Sequence, residues 1–150
     1  TLRGYGYSCE EGGFALSGRP ASEFGWEIYP EGLYNILIHV YNRYKKDIYV
    51  TENGIADSKD KYRSLFIISH LYAIEKALNE GIPVKGYLHW SIIDNFEWAK
   101  GYSKRFGLAY TDFSTKTYIP RPSMYTFREI IKEKSIEKFK GYDPYNLMKL

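Results

Sequence analysis

Cysteine is almost absent: Cys9 is the single one among 150 residues. That excludes an internal disulfide and a metal site built on several thiolates. A lone cysteine fits a reducing compartment, and a cytoplasmic protein is expected. No stretch comes near the roughly 20 consecutive apolar residues of a membrane span. No signal-peptide pattern opens the chain, and no membrane partner is expected. An excess of one charge is missing too. Lys and Arg number 21 against 18 Asp and Glu, a net charge of +3, with the two signs interleaved. Nucleic-acid binding needs a clustered basic face, so no nucleic-acid partner is expected. The histidines His39, His70 and His89 show no metal-ligand spacing, and neither a metal nor a cofactor is expected. Gly4 and Gly6 lack the strand-to-helix context and the Lys-Ser/Thr of a nucleotide loop. Ser91 lacks the glycines of a nucleophile elbow.

Aromatic residues are plentiful, at 18% of the chain with 16 tyrosines. Flat apolar faces with a polar handle suit sugar rings, although on composition alone core packing is the ordinary reading.

Residues 1–25 are rich in Gly and Ser with no sustained period, and read as a long loop. Leu33, Ile36, Leu37, Val40, Tyr41 and Tyr44 recur at helical spacing after Pro30, which suits a first turn. A short strand over 47–52 is rich in β-branched and aromatic residues and closes on Asn53-Gly54. A second helix is expected over 62–79, with Leu65, Ile68, Leu71, Tyr72, Ala77 and Leu78 apolar and Gly81 and Pro83 stopping it. A second strand runs from Val84 to about Ser91, and residues 94–105 read as a loop. Residues 108–113 suit a short extra strand or hairpin arm. Pro120 and Pro122 precede a last helix over 123–134, and the tail beyond Ser135 shows no pattern. Alternating helices and strands predict an α/β fold with parallel strands and helical crossovers. A full (β/α)8 barrel needs about 200 residues or more, so this chain can supply its last quarter to third.

Two places could carry chemistry. Glu52 ends a strand, where barrel enzymes place catalytic groups, and Asn53 adds an amide beside it. For the tripeptide Glu52-Asn53-Gly54 alone, an ordinary surface turn is the favoured reading. In the segment 90–98, Trp90 and Trp98 flank the amide Asn95 and the carboxylate Glu97. An indole can stack on the apolar face of a sugar while a carboxylate accepts its hydroxyls. A core Trp90 and a solvated Glu97 fit as well. Both segments follow successive strands, which would bring them to one mouth.

Taken together these segments resemble family 1 glycoside hydrolases. Tyr-Val-Thr-Glu-Asn-Gly-Ile-Ala-Asp at 49–57 is similar to the nucleophile signature of that family. Gly-Tyr-Leu-His-Trp-Ser-Ile-Ile-Asp-Asn-Phe-Glu-Trp at 86–98 is similar to its sugar-recognition segment. Phe24-Gly25-Trp26-Glu27-Ile28-Tyr29-Pro30-Glu31-Gly32-Leu33 resembles the stretch leading into the nucleophile strand. Arg105-Phe106-Gly107-Leu108, Asp112-Phe113 and Pro120-Arg121-Pro122-Ser123 resemble the closing stretch. The Gly-rich opening and the His89-Trp90 pair look most like the archaeal β-glycosidases.

The resemblance implies a TIM barrel of which this is the C-terminal portion, incomplete on its own. Residues 26–135 would form its last βα units, and residues 136–150 a C-terminal tail. It implies Glu52 as nucleophile, Trp90 as a platform under the glycone, and Glu97 as acceptor for its outer hydroxyls. It implies Trp98 as a donor to a hydroxyl, Phe106 as part of the pocket wall, and Asn53 and Asn95 as supports. The implied substrate is a β-glycoside or oligosaccharide. Glu97 would repel a phosphate, which favours unphosphorylated sugars. The family's acid/base motif, of the form Thr-x-Asn-Glu-Pro, does not occur here, and the chain opens on Thr1 rather than Met. A truncated product, a split-gene half or an excerpt is therefore expected. Its partner would be the N-terminal part of the barrel, and exposed strand edges leave room for a homo-oligomer. A non-catalytic remnant, or a module binding sugar or another protein, is the alternative.

Overall fold

The computed structural model describes residues 13–149. Cys9, Gly4, Gly6 and the rest of residues 1–12 of the Gly-rich opening lie outside the described residues. Three helices and four strands follow one another: α1 (Pro30–Tyr44), β1 (Ile48–Asn53), α2 (Arg63–Asn79), β2 (Val84–His89), β3 (Ala109–Asp112), β4 (Thr117–Pro120) and α3 (Pro122–Glu133). Single 3₁₀ turns lie at Trp98–Lys100 and Glu137–Phe139.

The strands β1 and β2 pair in parallel, with α2 as their crossover. This is the βαβ unit that the alternation predicted. Leu37 of α1, Val50 of β1, Ile74 and Ala77 of α2 and Val84 of β2 form one buried cluster. Both helices therefore cover the same face of the strand pair. Among the described residues the sheet has two strands, and Tyr49 and Leu88 remain exposed on it.

Ten of the seventeen residues of α2 are buried, so this helix is covered most of the way round. Phe66, Ile67 and Ile74 join the expected Leu65, Ile68 and Ala77 inside, whereas Leu78 is exposed. A second cluster joins α2 to α3 and the tail through Ile67, Ile68, Ile130, Ile136 and Met148. A third gathers Ile28, Ile55, Leu65, Phe66 and Leu147. The tail with no sequence pattern thus buries Leu147 completely. Asp143 holds it there, accepting the Leu147 and Met148 amides at 2.7 and 2.8 Å.

Residues 108–113 prove to be one arm of an antiparallel hairpin, β3 with β4, paired from Ala109↔Pro120 to Asp112↔Thr117. The second arm contains Pro120, which the sequence assigned to the approach of the last helix. Proline is tolerated there because the strand lies at an edge. No helix among the described residues is long and apolar enough to cross a membrane.

Candidate functional site

A cleft of about 310 Å³ opens at the ends of β1 and β2, lined by Trp26, Glu52, Asn53, Gly54, Trp90, Glu97 and Phe106. The strands bring Glu52 and Trp90 there together. Strict alternation would put Glu52 on the face of Val50, which is buried under the helices. The register of β1 against β2 slips between Val50 and Asn53, and such an irregularity re-aims side chains. Glu52 is accordingly exposed and lines the cleft.

The two strand ends are locked together. The Trp90 amide donates to the Asn53 carbonyl at 3.0 Å. A Cβ on Gly54 would lie 1.6 Å from the Trp90 carbonyl oxygen, so only glycine lets the two backbones meet. The Trp90–Ser91 peptide bond is cis. The Asn53 side-chain oxygen accepts from the Tyr87 hydroxyl at 3.0 Å.

The opposite wall hangs on Asp94. This buried carboxylate accepts from Arg121 Nη1 and Nη2 at 3.0 and 3.1 Å, and from Arg105 Nη1 at 3.2 Å. It also accepts the Gly107 and Thr111 amides at 2.9 and 3.1 Å. Burial alone would push its carboxyl up, but the donors, Arg121 first, hold it below the ordinary value. Asp94 thereby ties the segment carrying Glu97 to the segment carrying Phe106. Ser91 donates its amide to the Phe106 carbonyl at 3.3 Å, closing the same corner.

Phe106 is buried at the floor, and its ring lies 5.9 Å from that of Phe24. Phe24 stacks in turn on Trp26, with centroids 4.6 Å apart and planes 14° from parallel. Trp26 is 56% exposed and extends this aromatic row along the cleft. The turn that presents it is pinned by Ser22, whose hydroxyl accepts the Phe24 and Trp26 amides at 3.2 and 3.1 Å. Gly25 supplies the positive φ of 75°. Trp26 does not stand out in the sequence, because a lone aromatic in an aperiodic loop carries no signal of its own.

Five of the expected residues, Glu52, Asn53, Trp90, Glu97 and Phe106, therefore share one cleft. Two others do not line it. Trp98 sits at φ 45° at the start of a 3₁₀ turn, and is 82% exposed. That turn is closed by the Glu97 amide donating to the Gly101 carbonyl at 2.7 Å. Asn95 donates its side-chain amide to Ser91 Oγ at 3.1 Å and so braces the loop from within. Among the described residues, no cluster of three or more His, Cys, Asp or Glu side chains could hold a metal. The arrangement offers carboxylates, an amide and indole and phenyl faces to a polyhydroxylated ring.

The family profile described as glycosyl hydrolase family 1 matches residues 14–136. A β-galactosidase of Sulfolobus acidocaldarius is 50% identical over 136 residues, which is 91% of this chain and 28% of the relative. The crystal structure of Fpglu1 from Fervidobacterium pennivoraus superposes with a TM-score of 0.96 at 78% identity, over 99% of this chain and 32% of that one. A β-glucosidase mutant derived from a hyperthermophilic tetrameric structure gives 0.82 at 56% identity, over 86% of this chain and 27% of that one. The chain thus spans about a third or less of the length of these relatives.

Proposed function

The chain belongs to glycosyl hydrolase family 1, and from that premise we propose that it carries the nucleophile half of a retaining β-glycosidase active site, with Glu52 as the attacking carboxylate. The observation that carries this reading is the cleft itself. A strand-end carboxylate, turned away from the face of Val50, shares it with Trp90, Glu97 and Phe106. Glu52 attacks the anomeric carbon and forms a glycosyl-enzyme, which water then hydrolyses. Trp90 lies under the sugar ring, Glu97 accepts its outer hydroxyls, and Trp98, on the turn that follows Glu97, donates its indole N–H to a hydroxyl. A retaining mechanism needs a second carboxyl about 5 Å away to protonate the leaving oxygen. We assign that group to a complementary N-terminal part of a (β/α)8 barrel, of which residues 26–135 form the last βα units. The substrate is an unphosphorylated β-glycoside, because Glu97 would face a phosphate with like charge. The single cysteine supports placing the assembled protein in the cytoplasm, and exposed strand edges leave room for a homo-oligomer.

The test combines the chain with the N-terminal part of Fpglu1 and a 2-deoxy-2-fluoro-β-glucoside that traps the glycosyl-enzyme. Mass spectrometry should find the sugar on the peptide containing Glu52, and none in the Glu52→Gln variant. A folded complex that takes up no label on Glu52 would make the chain a non-catalytic remnant or binding module. Alone, the chain should hydrolyse aryl β-glycosides no faster than buffer.

A further inference from the structure

β2 carries a polar pair, the half-buried Tyr87 and the buried His89. The Tyr87 hydroxyl lies 3.0 Å from Asn53 Oδ1, 3.3 Å from the Asn53 carbonyl oxygen and 3.3 Å from His89 Nδ1. His89 is only 9% exposed, and its ring lies 5.9 Å from that of Phe127. Its Nε2 has no hydrogen-bond partner among the described residues.

That orphaned nitrogen sets the direction of the whole chain. Burial, with the charges of Arg63 and His70 nearby, pushes the His89 imidazole down to about 3, so it holds one ring proton at neutral pH. Burial also pushes the Tyr87 phenol up, so it keeps its proton. Were the imidazole proton on Nε2, a buried N–H would go unmet, the costly kind of orphan. With the proton on Nδ1, only a lone pair is left over. Nδ1–H then donates to the Tyr87 oxygen, and the Tyr87 hydroxyl donates to Asn53 Oδ1. The structure turns the Asn53 side-chain oxygen, not its NH2, toward Tyr87, and at 3.0 Å it is a nearer acceptor than the Asn53 carbonyl at 3.3 Å.

We propose that His89 is a positioning residue. Through Tyr87 it anchors the carbonyl end of the Asn53 amide, leaving the NH2 end as a fixed donor in the cleft beside Glu52. Asn53 lines that cleft next to Glu52, where a donor would meet a hydroxyl oxygen of the bound glycone. His89 itself touches no substrate. The inference rests on the proposed glycosidase reading for its kinetic consequence, though not for the hydrogen-bond direction.

The direction is tested on the unsubstituted chain with 15N-labelled histidine, free and combined with the N-terminal part of Fpglu1. Nitrogen–proton correlation spectra should show His89 protonated at Nδ1 and bare at Nε2 across pH 7.5 to 5.5. A proton on Nε2, or an imidazolium, overturns the proposal. In the assembled complex, Tyr87→Phe and His89→Leu should each lower kcat/KM by about 3- to 10-fold, the scale of one lost hydrogen bond. His89→Asn keeps an N–H near the position of Nδ1 and should recover most of that loss. Equal losses in His89→Leu and His89→Asn, measured on folded complexes, overturn the positioning role. Trapping of the fluoroglycoside on Glu52 is scored in parallel. Its absence in the unsubstituted complex counts against the glycosidase reading and leaves the spectroscopic result standing.

Discussion

The placement of Glu52 depends on a neighbour that has no side chain. Gly54 lets the end of β1 meet the Trp90 carbonyl, and any Cβ there would overlap it. The expected result of Gly54→Ala is a loss of about 1–3 kcal/mol, the usual cost of overpacking, read as a lower urea midpoint. Because the displaced group is Trp90, its indole emission should shift as well. An unchanged midpoint and spectrum would show that the two strand ends part at no cost. The importance of Gly54 was not legible in the sequence. Asn53-Gly54 reads as a turn whether or not another strand presses on it. Glu52 was legible because its type, its strand-end place and the ordered segments around it agree. Trp98 carried the same kind of motif support, yet its 3₁₀ turn leaves it outside the cleft. Motif order specifies which residues belong to a site, and backbone geometry decides which of them line it.

The segments between elements do the positioning. Asp57 accepts the Tyr62 and Arg63 amides at 2.7 and 3.0 Å and so caps α2, while Asp60 accepts the Ser123 amide at 2.8 Å and caps α3. One short loop after β1 therefore fixes the start of two helices. Helix and strand periods made α1, β1, α2, β2 and α3 legible to within a few residues. The arm β4 was not, because Pro120 argues for a helix start until a strand partner is known. Loops such as 94–107 have no period at all, and their form rests on long-range hydrogen bonds. Asp94 is the test of that claim. In Asp94→Asn an amide NH2 would face Arg121 and Arg105 in a buried site, leaving a guanidinium short of an acceptor. Removing one partner of a buried pair costs about 3–5 kcal/mol. Denaturant unfolding should show a loss of that order, and hydrogen exchange should quicken at the Gly107 and Thr111 amides. A loss below about 1 kcal/mol would mean that the loop holds its shape without the carboxylate.

Across the whole molecule, the three buried clusters meet along α2, and the covering of this helix encloses titratable groups. His70 lies on α2 in stacked contact with Phe66, at 3.8 Å between ring centres, and its Nδ1 donates to the Phe66 carbonyl at 2.8 Å. Burial lowers this imidazole to about 4, and His89 to about 3, from an ordinary 6.5. The unfolded chain therefore takes up protons below about pH 6.5 that the folded chain refuses until pH 4 or lower. Stability must fall as pH falls through that window. Each histidine contributes a slope of about 1.4 kcal/mol per pH unit at most. Asp94 acts lower down: its depressed carboxyl stabilises the fold above the ordinary 3.8, and that contribution fades as pH drops through the folded value. Denaturant midpoints measured from pH 7.5 to 4.5 should decline steadily below pH 6.5. In His70→Gln the midpoint at pH 7.5 should be lower, because the stacked ring is lost. The decline with acid should nevertheless be about half as steep, since one of the two refused protons is gone. A flat profile in the unsubstituted chain, or an unchanged slope in the variant, would show that the core around α2 opens to protons without unfolding.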